Sequence, residues 1–136
     1  MIDARELRIG NWVLTKDGIP VQVLSYFDKS IRNEIYTTSN TDFKYEEDDC
    51  DGIRLTPEIL EKCGFYKGEH PMAGEIHIID IQKSAHRTLF ITHDPSPLAV
   101  LCEEKNGEIA TEFVNYLHEV QNLYFALTKK ELNVQL

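Results

Sequence analysis

Histidine is the residue type in this chain best suited to metal binding or to acid–base chemistry, and there are five. His77 and His93 fall on two strand-like runs, with His86 in the turn between them. Antiparallel pairing about that turn sets His77 opposite residues 90–92, and so brings it towards His93. Zinc sites need three or four converging ligands and often an HxxxH spacing, which this sequence lacks. We expect exposed strand histidines; the alternative is a small enzyme or metal-binding protein using a pocket of His77, His93 and Asp80.

An acidic run before a predicted helix has the spacing of a calcium loop. Glu47-Asp48-Asp49-Cys50-Asp51-Gly52 and Glu58 place carboxylates at positions 1, 3, 5 and 12, and glycine at position 6, of an EF-type loop. However, position 1 is Glu instead of Asp, Arg54 replaces an apolar residue, and the residues before the loop are typical of a strand. We therefore predict a solvated acidic turn, with no metal and no cofactor.

Nucleophilic catalysis has no signature in this sequence, which contains neither a GxSxG elbow nor a glycine-rich phosphate loop. Cys50, Cys63 and Cys102 are odd in number and widely spaced, and match neither a disulfide framework nor a zinc-ligand pattern. Cys63 falls on the apolar side of a helix and Cys102 in a strand, where buried cysteine behaves as a small, inert hydrophobic residue. The sequence therefore indicates a non-enzymatic, reduced, cytoplasmic protein.

Length and charge narrow the classes of partner. The 136 residues fit one domain, and 42% hydrophobic content is typical of a globular protein. The net charge of −9 opposes binding to nucleic acid and to anionic membranes, and no apolar run is long enough to span a bilayer. A nucleic-acid-binding module through the N-terminal sheet stays an alternative, because aromatic residues lie near a short basic stretch there: Trp12, Tyr26, Phe27, Lys29 and Arg32.

The N-terminal part reads as four short strands, at residues 7–16, 19–27, 34–38 and 42–46. Asp17-Gly18 predicts a two-residue hairpin turn, and Pro20 marks a strand start or a sheet edge. Four short strands in this space predict a curled sheet, of which a partial barrel is one form.

The middle of the chain begins with a helix at residues 57–63. Thr56 is the expected N-cap, Pro57 the first helical residue, and Gly64 the left-handed residue that ends it. Residues 66–74 read as a loop, and a second antiparallel meander follows, with Asn106-Gly107 as its strongest hairpin signal. Its strands are predicted at residues 76–82, 88–92, 98–103 and 108–113.

A long C-terminal helix has the clearest pattern in the sequence. Leu117, Val120, Tyr124 and Leu127 recur with the spacing of one helix face, and Asn115 is the expected N-cap, with Thr111 as a competitor. The prediction is therefore an α+β fold of two meanders, a short middle helix and a long C-terminal helix. It forms one compact domain, with an N-terminal β subdomain at about 5–55 and the remainder at about 56–130.

One flank of this helix carries the candidate partner-binding residues His118, Gln121, Asn122 and Phe125. In one explanation the N-terminal sheet docks on this flank, and Gln121 or Asn122 binds unpaired backbone. In the other, Phe125 anchors an unknown protein partner or a second copy of the chain. We favour docking, because the N-terminal sheet also needs a cover.

Three stretches, ELRIGNWVL, LTPEILEKCGF and YLHEVQNLYFALTKKEL, occur in this order. Together they resemble small proteins of unknown function from Bacteroides-type bacteria and their phages. The resemblance implies a bacterial or phage origin and an α+β fold, and it assigns no catalytic residue. The leading hypothesis is a non-enzymatic protein-interaction module.

Overall fold

The computed structural model describes residues 6–27, 34–37, 40–46, 50–82, 84 and 86–136. Across these residues the protein is α+β, with ten strands in two antiparallel sheets and two helices. The predicted fold class is therefore confirmed. The chain divides into two compact units, Met1–Arg54 with Tyr116–Asn122, and Leu55–Asn115 with Leu123–Leu136. The single compact domain stays a prediction.

The sheet of the first unit has the strand order β4-β3-β2-β1-β5. Its strands are β1 (Trp12–Thr15), β2 (Pro20–Phe27), β3 (Glu34–Thr37), β4 (Asn40–Glu46) and β5 (Cys50–Gly52). The first half of β2 pairs with β1 and its second half with β3. Strand β5 pairs with β1 and occupies part of the predicted acidic turn, so that turn was predicted too long. The predicted curling of this sheet stays a prediction.

The β1–β2 hairpin confirms the predicted pairing and corrects its turn. The Gly18 amide donates to the Thr15 carbonyl at 2.9 Å, and the Thr15 amide donates to the Ile19 carbonyl at 3.0 Å. The loop is therefore three residues long, and only its last residue, Gly18, has a positive φ, of 80°. A tight turn followed by a left-handed glycine is the usual three-residue hairpin.

Burial in the first unit follows the strand alternation. Val13 is buried while Trp12 and Leu14 are half-buried, as expected for a sheet with one face in the core. The core cluster comprises Leu7, Val13, Val21, Val23 and Cys50.

The second unit has a sheet in the order β10-β9-β8-β7-β6. Its elements are α1 (Pro57–Lys62), β6 (Tyr66–His70), β7 (Gly74–Gln82), β8 (Arg87–Thr92), β9 (Leu98–Glu103) and β10 (Gly107–Phe113). The four predicted strands are present, but β6 was predicted as loop. Its sequence, YKGEH, has little strand propensity, and pairing with β7 holds it in the sheet.

Helix α1 forms as its sequence predicts. The Thr56 hydroxyl accepts a hydrogen bond from the Ile59 amide at 3.2 Å, Pro57 is the first helical residue, and Gly64 follows with φ of 88°. The helix packs against β6 and β7, which fixes the positions of its side chains over the sheet.

Helix α2 (Leu117–Thr128) begins later than predicted. The Glu119 carboxylate accepts a hydrogen bond from the Tyr116 amide at 3.1 Å, so Tyr116 occupies the cap position instead of Asn115. Thr111 lies in β10 and caps nothing. No helix in the described ranges is long and apolar enough to cross a membrane.

The second sheet has two distinct faces and a strong bend. One face carries the cluster of Ile76, Phe90 and Val100. His70 of β6 and Glu108 of β10 belong to opposite edge strands, yet His70 Nε2 lies 3.0 Å from Glu108 Oε1. In a flat sheet of five strands these edges would be about 19 Å apart, so the sheet must fold over on itself.

Candidate functional site

The histidine pair is built by the register of β7 and β8. His77 lies directly opposite Ile91, and His93 follows two residues later on the same face as Ile91. His77 and His93 are therefore diagonal neighbours, the second shortest cross-strand relation in a sheet. His77 Nδ1 lies 2.7 Å from His93 Nε2, and the rings meet edge to face with centroids 4.9 Å apart. The predicted approach of the two side chains is confirmed.

Burial distinguishes the two histidines. His77 is 0% exposed, so the expectation of exposed strand histidines is wrong for this residue. The sequence did not predict the burial of His77, because β7 is buried on both faces at this point. The preceding residue, Ile76, lies in the core cluster on the opposite face. His93 follows the end of β8 and is half-buried. The pair therefore extends from the interior of the second unit to its surface.

Glu61 of α1 supplies the carboxylate nearest to the pair. Its Oε1 lies 3.6 Å from His77 Nε2, and that buried nitrogen has no hydrogen-bond partner. A carboxylate only accepts hydrogen bonds, so the favoured tautomer of neutral His77 carries its proton on Nε2, towards Glu61. His77 Nδ1 then accepts from His93 Nε2–H, and a basic nitrogen of His93 is left at the surface.

Further charged groups surround His93. Burial lowers the pKa of His93, the charge of His77 lowers it further, and Glu75 and Glu58 oppose that shift. Lys67 lies 2.9 Å from Glu75, and its ammonium lowers the pKa of that carboxyl. The histidine pair therefore lies in the electrostatic field of three carboxylates, Glu58, Glu61 and Glu75. Lys67 forms an ion pair with Glu75. The local field favours a cation.

Asp80, the third residue of the predicted pocket, lies elsewhere. It is an odd number of residues from His77 along β7 and therefore projects from the opposite face of the sheet. The Tyr66 hydroxyl donates to Asp80 Oδ1 at 3.4 Å. Asp80 lines a separate cleft of about 450 Å³, with His86, Arg87, Thr88, Cys102 and Glu104. Glu61 takes the expected place of Asp80, and no short motif in the sequence signals it.

The acidic segment is not a calcium loop where the structure describes it. Residues 47–49 lie outside the described residues, and Cys50–Gly52 is an extended strand instead of the required sharp bend. Gly52 has a different role: a Cβ there would lie 2.6 Å from Cγ and Cδ1 of Tyr116. The glycine is needed because the Tyr116 ring packs against the strand backbone.

The other potential metal ligands of the described residues do not form a cluster with the histidine pair. Among the described residues, no group of three or more His, Cys, Asp or Glu side chains has the arrangement of a metal site. All three cysteines are free thiols, and burial raises the pKa of Cys63 to about 12. A thiol with that pKa is neither a nucleophile nor a ready metal ligand at neutral pH.

The flank of α2 makes a hydrogen-bonded contact within the first unit. Gln121 is 1% exposed; its Oε1 accepts from the Trp12 amide at 2.8 Å, and its Nε2 donates to the Gly10 carbonyl at 3.2 Å. Asn122 donates to the Glu6 carbonyl at 2.8 Å and accepts from Arg8 Nε at 2.9 Å. These contacts confirm that Gln121 and Asn122 bind backbone of the N-terminal segment.

His118 lies beside this contact and is 0% exposed. Its Nε2 is 3.5 Å from Glu6 Oε2, and its ring stacks on Tyr116 with centroids 5.7 Å apart. Burial lowers the pKa of His118, against the opposing effects of Glu6 and Glu119. Since His118 and Gln121 are buried, only Asn122 and the half-buried Phe125 present surface to a partner. Partner binding by this flank stays a prediction.

The edge strand β10 of the second unit is exposed along its whole length. All seven of its residues are exposed, including Ile109 at 43% and Phe113 at 71%. Within the described residues β10 pairs only with β9, so its outer backbone edge has no strand partner, and the His70 side chain of β6 reaches it at Glu108. On the face of Ala110 and Glu112, an apolar cavity of about 80 Å³ is also lined by Leu89, Ala99, Leu101, Thr111, Leu123 and Leu127.

Comparison with protein-family models, with curated proteins and with solved structures finds no match to this chain. The resemblance to small proteins of Bacteroides-type bacteria and phages therefore stays a prediction. The nucleic-acid alternative depends on Lys29 and Arg32, which lie outside the described residues.

Proposed function

We propose that this protein is a non-enzymatic protein-interaction module, which binds an extended segment of a partner protein along β10. The observation that carries the proposal is the exposure of this seven-residue edge strand along its whole length. An unpaired edge offers a row of backbone donors and acceptors, and soluble proteins usually shorten or cover such edges. Strand addition to an open edge is a recurring mode of peptide recognition.

Two features give the edge selectivity as well as affinity. The cavity beside Ala110 and Glu112 is the natural site for one aliphatic side chain of an added strand, because alternate side chains of that strand face this side. On the other side, Phe113 is 71% exposed and offers apolar contact area. The segment therefore has apolar residues at alternate positions.

Charge favours a basic partner over a second copy of the chain. Glu104, Glu108 and Glu112 are exposed at the edge and its hairpin, against one lysine, Lys105. The whole chain carries a net charge of −9, which repels a second copy and attracts a basic segment. The bulge between Glu108 and Ala110 also disturbs regular pairing of β10 with itself.

The proposal includes a bacterial or phage origin and a cytoplasmic location, both supported by the sequence patterns rather than by a related protein. No catalytic role is assigned to the edge, since binding through backbone hydrogen bonds needs none.

The test uses a synthetic peptide of alternating lysine and valine as the probe. Amide NMR shifts on titration should map to Gly107–Phe113 and to the residues of the adjoining cavity. Glu112→Lys should weaken binding at least tenfold, because it replaces an attraction to lysine with a repulsion.

Asp17→Lys is the matched control, because Asp17 is an exposed acidic residue in the β1–β2 turn of the first unit, and the substitution changes the net charge by the same amount. It should leave the affinity unchanged. Equal losses in the two variants would show only a general charge effect and would overturn the proposal. Self-association in the absence of peptide, measured by sedimentation and abolished by Glu112→Lys, would assign the edge to a second copy instead.

A further inference from the structure

We propose that His77 and His93 bind a divalent transition-metal ion, such as Zn²⁺, between His77 Nδ1 and His93 Nε2. This site is independent of the β10 edge and of the protein-interaction function. It rests on the facing ring nitrogens, on the buried nitrogen that lacks a hydrogen-bond partner, and on the surrounding carboxylates.

The two ring nitrogens already point at each other across 2.7 Å. The ion takes the place of the His93 Nε2 proton between them, and His93 then carries its proton on Nδ1. A tetrahedral ion with Zn–N bonds of 2.0–2.1 Å holds two nitrogens about 3.3 Å apart, so the rings need to separate by about 0.6 Å. His93 follows the end of β8 and is half-buried, so its side chain has room for this adjustment. His77 is held in β7 and supplies the fixed ligand.

Glu61 gives His77 the setting of a metal-bound histidine. Ligating histidines generally donate their second ring N–H to a carboxylate, which fixes the tautomer and raises the basicity of the ligating nitrogen. Glu61 Oε1 lies 3.6 Å from His77 Nε2, and a small rotation of this 52% exposed side chain closes the hydrogen bond. The buried Nε2, which has no hydrogen-bond partner, then gains one.

Charge and ligand type select the class of ion. Glu58 and Glu75 act electrostatically on His93, and with Glu61 they make three carboxylates near the pair, against Lys67. This field excludes a phosphate ligand and attracts a dication. Imidazole nitrogens prefer zinc, copper and nickel to magnesium or calcium. With two histidine ligands the coordination sphere is completed by water, so the affinity is modest.

The test is calorimetric titration of the whole chain with Zn²⁺, after removal of metal with a chelator. Wild type should bind one equivalent, and His93→Gln should weaken that binding at least tenfold. Glu61→Gln should weaken it about tenfold or more without removing a ligand, as expected for an outer carboxylate. Titration with Co²⁺ gives a second readout, because its visible absorption reports nitrogen ligation directly.

His86→Gln is the matched control, since His86 pairs with Glu104 at 3.2 Å on the surface of the same unit. This variant should bind Zn²⁺ as wild type does. His93→Gln lies at a half-buried position, and its fold is checked by circular dichroism before titration. Absence of binding by wild type, or unchanged binding in His93→Gln, would overturn the proposal. Equal losses in His93→Gln and His86→Gln would do so too.

Discussion

Two buried histidines, His77 in the second unit and His118 in the first, have almost the same immediate surroundings. Each is 0% exposed, each has one ring nitrogen without a hydrogen-bond partner, and each has a glutamate oxygen at 3.5–3.6 Å. Exposure and the distance to a carboxylate therefore do not separate a structural histidine from a candidate ligand.

The two histidines differ in the other residue that each imidazole ring contacts. His77 Nδ1 meets the half-buried His93, so a polar path leads from the buried imidazole to solvent. His118 stacks on Tyr116, and its neighbours on α2 are occupied with backbone of the N-terminal segment. A buried histidine that meets a second imidazole at the surface can bind a metal ion with it, while His118, between Glu6 and the Tyr116 ring, belongs to the contact that fixes the fold.

The largest expected effect comes from Gln121, which completes the structural site. Gln121→Leu would leave the part-buried Trp12 amide without its side-chain partner and would remove one of the two side-chain hydrogen bonds to the Gly10 carbonyl, which keeps the one from Gln22. We expect a loss of about 2–3 kcal/mol in the free energy of unfolding, because one unsatisfied buried group costs about 1–3 kcal/mol and the lost hydrogen bond to Gly10 adds to that cost. Urea denaturation measures the loss.

Gln82→Leu provides the control, because Gln82 is exposed at the end of β7. It should change stability by less than about 0.5 kcal/mol. If Gln121→Leu were as mild as this control, the helix flank would not be the structural site that distinguishes His118 from His77.

An intermediate effect is expected at two glycines, one in each unit. A Cβ at Gly52 would lie 2.6 Å from ring carbons of Tyr116 and 3.1 Å from its Cβ, which cannot move without the backbone. At Gly68 the contact at 2.6 Å is with Cδ1 of Ile78, the mobile end of a flexible side chain. Gly52→Ala should cost about 1–3 kcal/mol by overpacking, and Gly68→Ala less than about 1 kcal/mol. Equal losses would show that the Tyr116 ring is free to move.

The fold followed from the sequence wherever a local signal controls the structure. The cap at Thr56, the start of β2 at Pro20 and the Asn106-Gly107 hairpin all depend on residues next to one another. Strand β6 could not be predicted from the sequence, because its residues, YKGEH, have little strand propensity and are held in the sheet by pairing with β7. The start of α2 was displaced for a related reason, since Glu119 caps the Tyr116 amide.

The candidate site was predictable only in part. The approach of His77 and His93 followed from one turn and one register, both readable in sequence. The carboxylate partner did not, because Glu61 reaches His77 only through the packing of α1 on β7. Alternation along β7 already places Asp80 on the opposite face from His77, which excludes it from the pair.

The smallest expected effect is a dependence of stability on pH, to which His118 and His93 both contribute and in which only added Zn²⁺ distinguishes them. Burial lowers the pKa of His118 below the value of about 6.5 expected in the unfolded chain, while Glu6 and Glu119 offset part of the shift. The unfolded state therefore binds more protons below that value, so stability is full above about pH 6.5 and falls as the pH drops further. The pKa of His93 is lowered as well, so both residues contribute with the same sign.

Denaturation between pH 7 and pH 5, with a chelator present, measures this slope. His118→Gln and His93→Gln should each remove part of it, because each deletes one group that is protonated more readily in the unfolded chain. The lowered pKa of Glu75 acts in a more acidic range and does not enter this window. Adding Zn²⁺ should then steepen the slope in wild type and in His118→Gln, because protons compete with the metal, and leave it unchanged in His93→Gln. A zinc effect that survives in His93→Gln and disappears in His118→Gln would assign the metal site to His118 instead of the His77–His93 pair.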